Sequence, residues 1–348
     1  MRSRLRVAVA GALPLALAAL AWRFDRTNFL AAWLAAWCFC AWIAMGGLVT
    51  VWIHTLTGGA WAEPLRAPAL AASRLLPLLT LLFLPVLAGM HGLYPWADAG
   101  RWDDLSAPAF KDAWLRPWPF ALRAAAILAL WNLLAWAARR PPTGRARAVA
   151  ATSLILYGAS VGVAATDWLM SLTPLWYSSI FGLEIGVGQA LAGLAFAVLA
   201  AASRGTTRGQ AGRDLGNLLF TYVLSWGYLA FCQYLVIWAE DLPHEILWYE
   251  ARRSLPWPPL GLAVALLQFA IPFLALLFRD IKESPSHLAT IAVLLLGAHL
   301  LNVCWLILPS VAGLGMKNAW WLLPLCVAGF AALCRAALPD EAWEPRHD

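Results

Sequence analysis

Ten apolar stretches of about 20 residues each follow one another along this chain, at 5–22, 29–56, 73–94, 117–138, 149–171, 178–202, 215–239, 257–278, 287–308 and 319–338. A helix of about 20 residues crosses the hydrocarbon of a bilayer. Inside that hydrocarbon a segment must satisfy its own backbone N–H and C=O groups, so each stretch has to be a helix. The sequence therefore predicts an all-α polytopic membrane protein, a single transmembrane domain over 1–348. Of its residues, 62% are hydrophobic and 13% charged, whereas about a quarter are charged in a soluble domain. The loops are short, and none is large enough to fold as a separate soluble domain.

With an even number of spans, both termini share one side. The terminus-side ends and loops hold 16 of the 25 Lys and Arg, including Arg2, Arg4, Arg6, Arg139, Arg140, Arg145, Arg147, Arg204, Arg208 and Arg213; the opposite side holds eight, and Arg123 lies within a span. The positive-inside bias predicts cytoplasmic termini and accounts for the net charge of +6, so that charge is no sign of a nucleic-acid partner. The first stretch, VAVAGALPLALAALA after Arg6, reads as an uncleaved first helix, with a signal peptide carrying the small residues Ala19 and Ala21 before its cut as the alternative.

The six cysteines, Cys38, Cys40, Cys232, Cys304, Cys326 and Cys334, all lie in apolar stretches without a C-x-x-C pair. They read as small buried hydrophobes, not as ligands of zinc or an iron–sulfur cluster. Haem ligation needs two histidines at one depth on different helices. His54 falls at the cytoplasmic end of its helix, His91 at the periplasmic end and His299 near the middle; only His287 roughly matches His54, and it barely enters its span. No metal-ligated or covalently bound cofactor is expected.

The informative residues are polar groups at membrane depth, which are functional by default because their burial is costly. Threading the spans puts His91, Arg123, Asp167, Glu184 and Gln233, each on a different helix, in the periplasmic third. Were they to face a common interior, Arg123 or a protonated His91 would pair with Asp167 or Glu184. Depth does not fix rotation about each helix axis. The bland reading is that Arg123 snorkels to the headgroups and that Asp167 only bonds a neighbouring helix, a contact worth about 0.6 kcal/mol. Gln189, Gln268 and His299 lie deeper, with Asn132 and His54 toward the cytoplasm; they form either a broken proton path or isolated interhelical bonds. Gly158 and Gly162, then Gly182 and Gly186, make two small-x-x-x-small pairs, a weak sign of close packing.

The periplasmic face is rich in aromatics, among them Tyr94, Trp96, Trp102, Trp114, Trp118, Trp176, Tyr177, Trp248, Tyr249 and Trp257. Part of this is an interfacial belt. The loop AEDLPHEILWYEARR (239–253) adds four acids and, with 95–116, reads as docking surface through Asp241, Glu245, Trp248 and Tyr249.

The strings HTLTGGAWAEPLR (54–66), LLFLPVLAGMHGLYPWA (81–97), DWLMSLTPLWYSSIFG (167–182), GRDLGNLLF (212–220), FCQYLVIWAEDLPHEILWY (231–249) and FAIPFLALLFRDIK (269–282) resemble the NrfD-like, polysulfide-reductase-type membrane family. Within it they resemble the ActF-type second large membrane subunit of bacterial alternative complex III. The resemblance covers about residues 29–308. It implies two four-helix bundles, helices two to five and six to nine, with peripheral helices, in a bacterial inner membrane. It implies a complex with a sister NrfD-like subunit, a periplasmic iron–sulfur subunit and haem c subunits, oxidising menaquinol or ubiquinol from the quinone pool. The subunit itself would carry no haem or cluster and would not be catalytic alone. The chain departs from the family in its trimmed cytoplasmic loops, its brief C-terminal tail, Thr166 before Asp167, and His244 in the acidic loop.

Three functions compete. In the first, a cofactor-free subunit moves protons through Asp167, Glu184, His91, Arg123, Gln233, Gln189, His299 and His54. In the second, His91, Tyr94, Asp167 and Trp168 hold a quinone. The third is an independent ion or solute transporter, which would call for Gly/Pro-broken helices in matching positions of two halves.

Overall fold

The structure is a computed structural model and describes residues 2–98, 109–140, 144–207, 209–243, 245–311 and 319–338. Trp102, Arg208 and His244 lie outside the described residues. Among those described, ten helical spans are long and apolar enough to cross a membrane: α1 (Arg6–Arg23), α2 (Arg26–Thr57), α3 (Ala60–Ala88), α4 (Pro117–Ala138), α5 (Ala146–Leu172), α6 (Phe181–Ser203), α7 (Gln210–Glu240), α8 (Trp257–Ala275), α9 (Pro285–Val311) and α10 (Trp320–Ala337). No strand occurs among them.

The spans begin and end close to the positions expected, except for α3. It starts at Ala60 and not near 73, and the reason is local. Gly58 and Gly59 adopt φ of 71° and 93°, a conformation open to glycine, so the chain reverses within two residues and re-enters a helix at once. Pro64 occupies the first turn, where its missing N–H costs nothing. Leu65, Ala69 and Ala72 bury one face of this early turn.

Helices α2 to α5 pack in one ring and α6 to α9 in a second, as the resemblance implies. Helix α2 of the first ring crosses α6 of the second, and both also touch α9. Nearly all of α2 and most of α6 are buried inside protein, whereas α8 and α10 turn most of their surface outward. Helices α1 and α10 run antiparallel as a peripheral pair laid on α2. Phe24 stacks on Trp321 with centroids 6.4 Å apart, and Phe330 of α10 meets Trp33 of α2 edge-on at 5.0 Å.

The first ring is joined by hydrogen bonds whose need arises in the sequence. Pro85 breaks α3, and around the break Phe83 N–H donates to Thr80 O and Val86 N–H to Phe83 O. Those tighter turns release the carbonyls of Leu79 and Leu82 from their usual i+4 donors. Trp37 Nε1 donates to Leu79 O and Trp33 Nε1 to Leu82 O, both at 2.7 Å. One turn apart on α2, these indoles cap the exposed carbonyls of a broken helix, as a segment in hydrocarbon requires. Asn132 of α4 donates to Thr80 Oγ1 at 2.7 Å, Trp131 to Ser160 Oγ of α5 at 3.0 Å, and Tyr157 of α5 to Gln189 Oε1 of α6 at 3.0 Å.

The second ring has its own irregularity. Pro272 lies one residue into the turn that follows Ala265–Ala270, and those six residues widen into a π-helical turn. Such a turn accommodates a missing donor and often marks a functional position. On the terminus side, Glu283 accepts from Arg279 at 2.7 Å and also pairs with Arg213 of α7. The two guanidiniums hold its carboxyl below the usual carboxylate value. Lys282 donates to Asn217 Oδ1 at 2.8 Å, so the α8–α9 link is pinned to α7.

Candidate functional site

Asp167 lies in the last turns of α5 and is wholly buried. Arg123, two turns into α4, reaches it with Nε 2.6 Å from Oδ2 and Nη2 3.1 Å from Oδ1. This is a bidentate fork, the strong form of a carboxylate–guanidinium contact. Trp114, from the short helix Ala109–Trp114 that precedes α4, donates Nε1 to Oδ1 at 2.8 Å. The same tryptophan accepts from Arg123 Nη2 through its backbone oxygen at 3.0 Å and lies under the guanidinium at 4.1 Å. Its helix is moored by Lys111, which donates to Pro174 O at 2.6 Å and sits 5.3 Å from the Tyr177 ring. Burial draws the Lys111 amine below its ordinary value.

Arg123 and Asp167 are therefore partners, as depth allowed, and both carboxylate oxygens are occupied. Trp114, placed by sequence in the aromatic belt, closes the pair. Replacing it with phenylalanine removes one hydrogen bond to a charged acceptor and leaves the fork intact. We expect Trp114→Phe to lower stability by about 1.5–3 kcal/mol, read as a loss of melting temperature in detergent micelles.

The other members of the expected cluster go elsewhere. His91 is exposed and its Nδ1 bonds Ala97 O at 2.6 Å; it is not drawn onto either acid. Tyr94 is buried and donates its hydroxyl to Trp168 O at 3.1 Å. Trp168 packs in an aromatic box of Trp37, Phe83 and Trp131, with centroids 4.8–5.5 Å away. Its indole N–H is buried without an acceptor, as is that of Trp96. His54 bonds Gly59 O at 2.8 Å in the turn between α2 and α3. His299 lies between the rings, 5.7 Å from Phe39 and 5.4 Å from Trp42, with neither nitrogen bonded. Gln189 accepts from Tyr157.

Glu184 forms a separate site. It stands in the first turn of α6, 5% exposed, and its Oε2 is buried without a hydrogen-bond partner. Around it gather residues of the 239–253 loop and of α7. Gln233 accepts from Ser178 at 2.9 Å. Burial pushes the Tyr249 phenol well up, and the Glu184 charge adds to this; Arg252 and Gln233 oppose it. Tyr249 thus lies within electrostatic reach of both Glu184 and Arg252.

Arg252 is a residue the sequence reading passed over. It is 2% exposed and has its guanidinium 3.4 Å from the Trp248 ring centre. Its donors go to Trp248 O at 2.6 Å, Leu306 O at 3.1 Å, Trp305 O at 3.2 Å and Ser310 Oγ at 3.2 Å. Three of these acceptors belong to the last two turns of α9, where the helix dipole favours a cation, and the Trp305 carbonyl lacks a helical donor because the residue four positions on is Pro309. Burial pulls Arg252 far below its ordinary value, opposed by Tyr249. The only sequence signal was a basic residue closing an acidic loop.

The expectation that Trp248 belongs to a docking surface is corrected. It is 1% exposed, stacked on Trp176 at 4.4 Å and against Phe181 at 5.6 Å. The loop folds inward because Arg252 anchors it on α9, which carries Trp248 into the core. Asp241 is exposed, at φ 46°, and Glu245 and Tyr249 are half-buried. Of the four residues assigned to docking, Asp241 alone stays fully on the surface.

The fold and its buried polar groups define an all-α, multi-pass membrane protein built of two four-helix rings and a peripheral pair. No protein-family model matches the chain, and no curated protein matches it.

Proposed function

We propose that this chain is a cofactor-free membrane subunit of a quinol-oxidising respiratory complex of the alternative complex III type. It scaffolds the complex and moves protons coupled to quinol oxidation. Its site is in a bacterial inner membrane, beside a sister NrfD-like subunit, a periplasmic iron–sulfur subunit and haem c subunits. The observation that carries the proton role is Glu184: a buried carboxylate with an unbonded oxygen, at a depth where such a group is kept for function. Further unsatisfied groups support it. Both side-chain atoms of Gln268, which sits in the π-helical turn, and both nitrogens of His299 are buried without partners. Water bridging such groups would carry protons along the inner face of the second ring.

This reading moves the proton carrier from Asp167 to Glu184. Asp167 already accepts three hydrogen bonds from Arg123 and Trp114, which leaves it the role of a fixed structural charge. The same engagement weighs against menaquinone or ubiquinone bound at His91, Tyr94, Asp167 and Trp168: the Asp167 carboxylate, the Tyr94 hydroxyl and the His91 Nδ1 are spent within the chain, and of the buried groups in that set only the Trp168 indole N–H is left without an acceptor. An independent transporter is disfavoured too. Helix α3 is broken and α8 is widened, but they stand second and third in their rings and do not correspond.

The test is Glu184→Gln in the assembled complex, purified through a tag on this chain. We expect the c-type haem spectrum and the fold to persist while proton movement per quinol oxidised falls at least severalfold. Asp167→Asn should instead reduce the amount of complex recovered, with proton movement per quinol unchanged in what remains. Unaltered proton movement in Glu184→Gln would refute the proton role, and a tagged chain recovered without haem or iron–sulfur protein would refute the complex.

A further inference from the structure

We propose that a cavity on the terminus side, between α2, α3, α4 and α5, binds the phosphate headgroup of an anionic phospholipid. The cavity measures about 560 Å³ and is lined by Trp52, His54, Arg66, Trp136, Arg140 and Val149, among others. It lies outside both acidic sites and is independent of the respiratory reading.

Three observations converge on an anion. Arg66 is half-buried and, among the described residues, makes no hydrogen bond or ion pair. Arg140 rests over the Trp136 ring at 3.9 Å, with no carboxylate paired to it among the described residues. Trp52 is 2% exposed and its indole N–H is buried without an acceptor, while the Nδ1 of His54 is likewise unbonded. Two free guanidiniums and an unsatisfied indole donor at one cavity ask for a ligand rich in acceptor oxygens.

The walls decide that the ligand has tails. Trp136 is 49% exposed and Val149 42% exposed on the outer faces of α4 and α5. These surfaces belong to membrane spans, so the side of the cavity they form faces lipid. Trp52 stands five residues before the end of α2, about 7 Å along its axis, and Arg140 follows the end of α4. The cations thus sit at headgroup level with an apolar flank running into the acyl layer, the arrangement of basic pockets that hold lipid headgroups. A free phosphate would satisfy the cations but not the apolar flank.

The full chain, purified in detergent, is offered phosphatidylglycerol or phosphatidylcholine with matched acyl chains, and retained lipid is counted by native mass spectrometry. We expect wild-type protein to retain phosphatidylglycerol about tenfold over phosphatidylcholine. Arg66→Gln with Arg140→Gln should reduce that preference to below about twofold. Val149→Trp, which keeps both charges and fills the cavity, should do the same, so the result does not hang on one variant folding. Arg147→Gln removes an exposed charge on the same face that does not line the cavity, and should leave the preference intact. The proposal is overturned if wild type shows no preference, if Arg147→Gln abolishes it equally, or if millimolar inorganic phosphate displaces the lipid, which would mark a site for soluble anions.

Discussion

Replacing Arg123 with leucine is expected to destabilise the protein by about 3–5 kcal/mol, the cost of leaving one member of a buried ion pair alone. The two single losses differ because the two partners differ in access to water. Asp167 is wholly buried and Arg123 is 19% exposed at its side chain. Without the guanidinium, Asp167 keeps one hydrogen bond, from Trp114, and has no countercharge in contact. Without the carboxylate, in Asp167→Asn, the Arg123 head still has the Trp114 carbonyl and ring, and its stem is long enough to reach the interface. That variant should lose less, about 1–2 kcal/mol. Arg123→Leu combined with Asp167→Leu should recover much of the loss, since an apolar pair of similar volume replaces both buried charges. Unfolding by titrated denaturant in micelles gives all three values. Equal losses in the two single variants would show that the pair is wetter than its geometry indicates.

The second large effect is expected where the two rings cross. Gly46 of α2 faces the Gln189 carbonyl of α6 so closely that a Cβ at Gly46 would lie 1.7 Å from that oxygen; a Cβ at Gly193 would lie 2.1 Å from the Gly46 carbonyl carbon. Both obstacles are backbone on central helices, so no rotamer change relieves them. Gly46→Ala must push α2 and α6 apart, which loosens the buried contacts along both. A loss of about 3 kcal/mol or more is expected, at the upper end for overpacking. The matched control is Gly158→Ala. Nothing lies within 4 Å of a Cβ there, and the general preference of helices for alanine over glycine predicts a neutral or slightly favourable change, up to about 1 kcal/mol. Melting temperatures that fall in Gly158→Ala as far as in Gly46→Ala would rule out the crossing as the source.

That contrast shows where sequence reading reached and where it stopped. The paired glycines at 158, 162, 182 and 186 are visible by spacing. One of their positions does meet another helix, since a Cβ at Gly182 would lie 2.9 Å from Gly162 Cα. The tighter crossing uses Gly46 and Gly193, which share no motif because they sit on different helices and their pairing is a fact of docking. The acids follow the same rule. Depth along each helix placed Arg123, Asp167 and Glu184 in one layer, and the ion pair came from that layer. Rotation then left Glu184 apart from that pair, buried with an unbonded oxygen. The roles of Trp114 and Arg252 were not legible in the sequence for a related reason. Each acts from a segment outside the spans, and its role depends on that segment folding back onto a helix end.

The sequence by itself determined how many segments are long and apolar enough to cross a membrane and where along each of them the polar residues fall. Both follow from one physical constraint, the fixed thickness of hydrocarbon that a self-satisfied helix has to span. Which residues touch was decided only by tertiary structure. A helix apolar nearly all round carries little sign of which face turns inward, so packing at Gly46 and Gly193, and the need to satisfy each buried polar group, set the rotations. Those rotations separated two acids of equal depth into a closed ion pair and a carboxylate with a free oxygen.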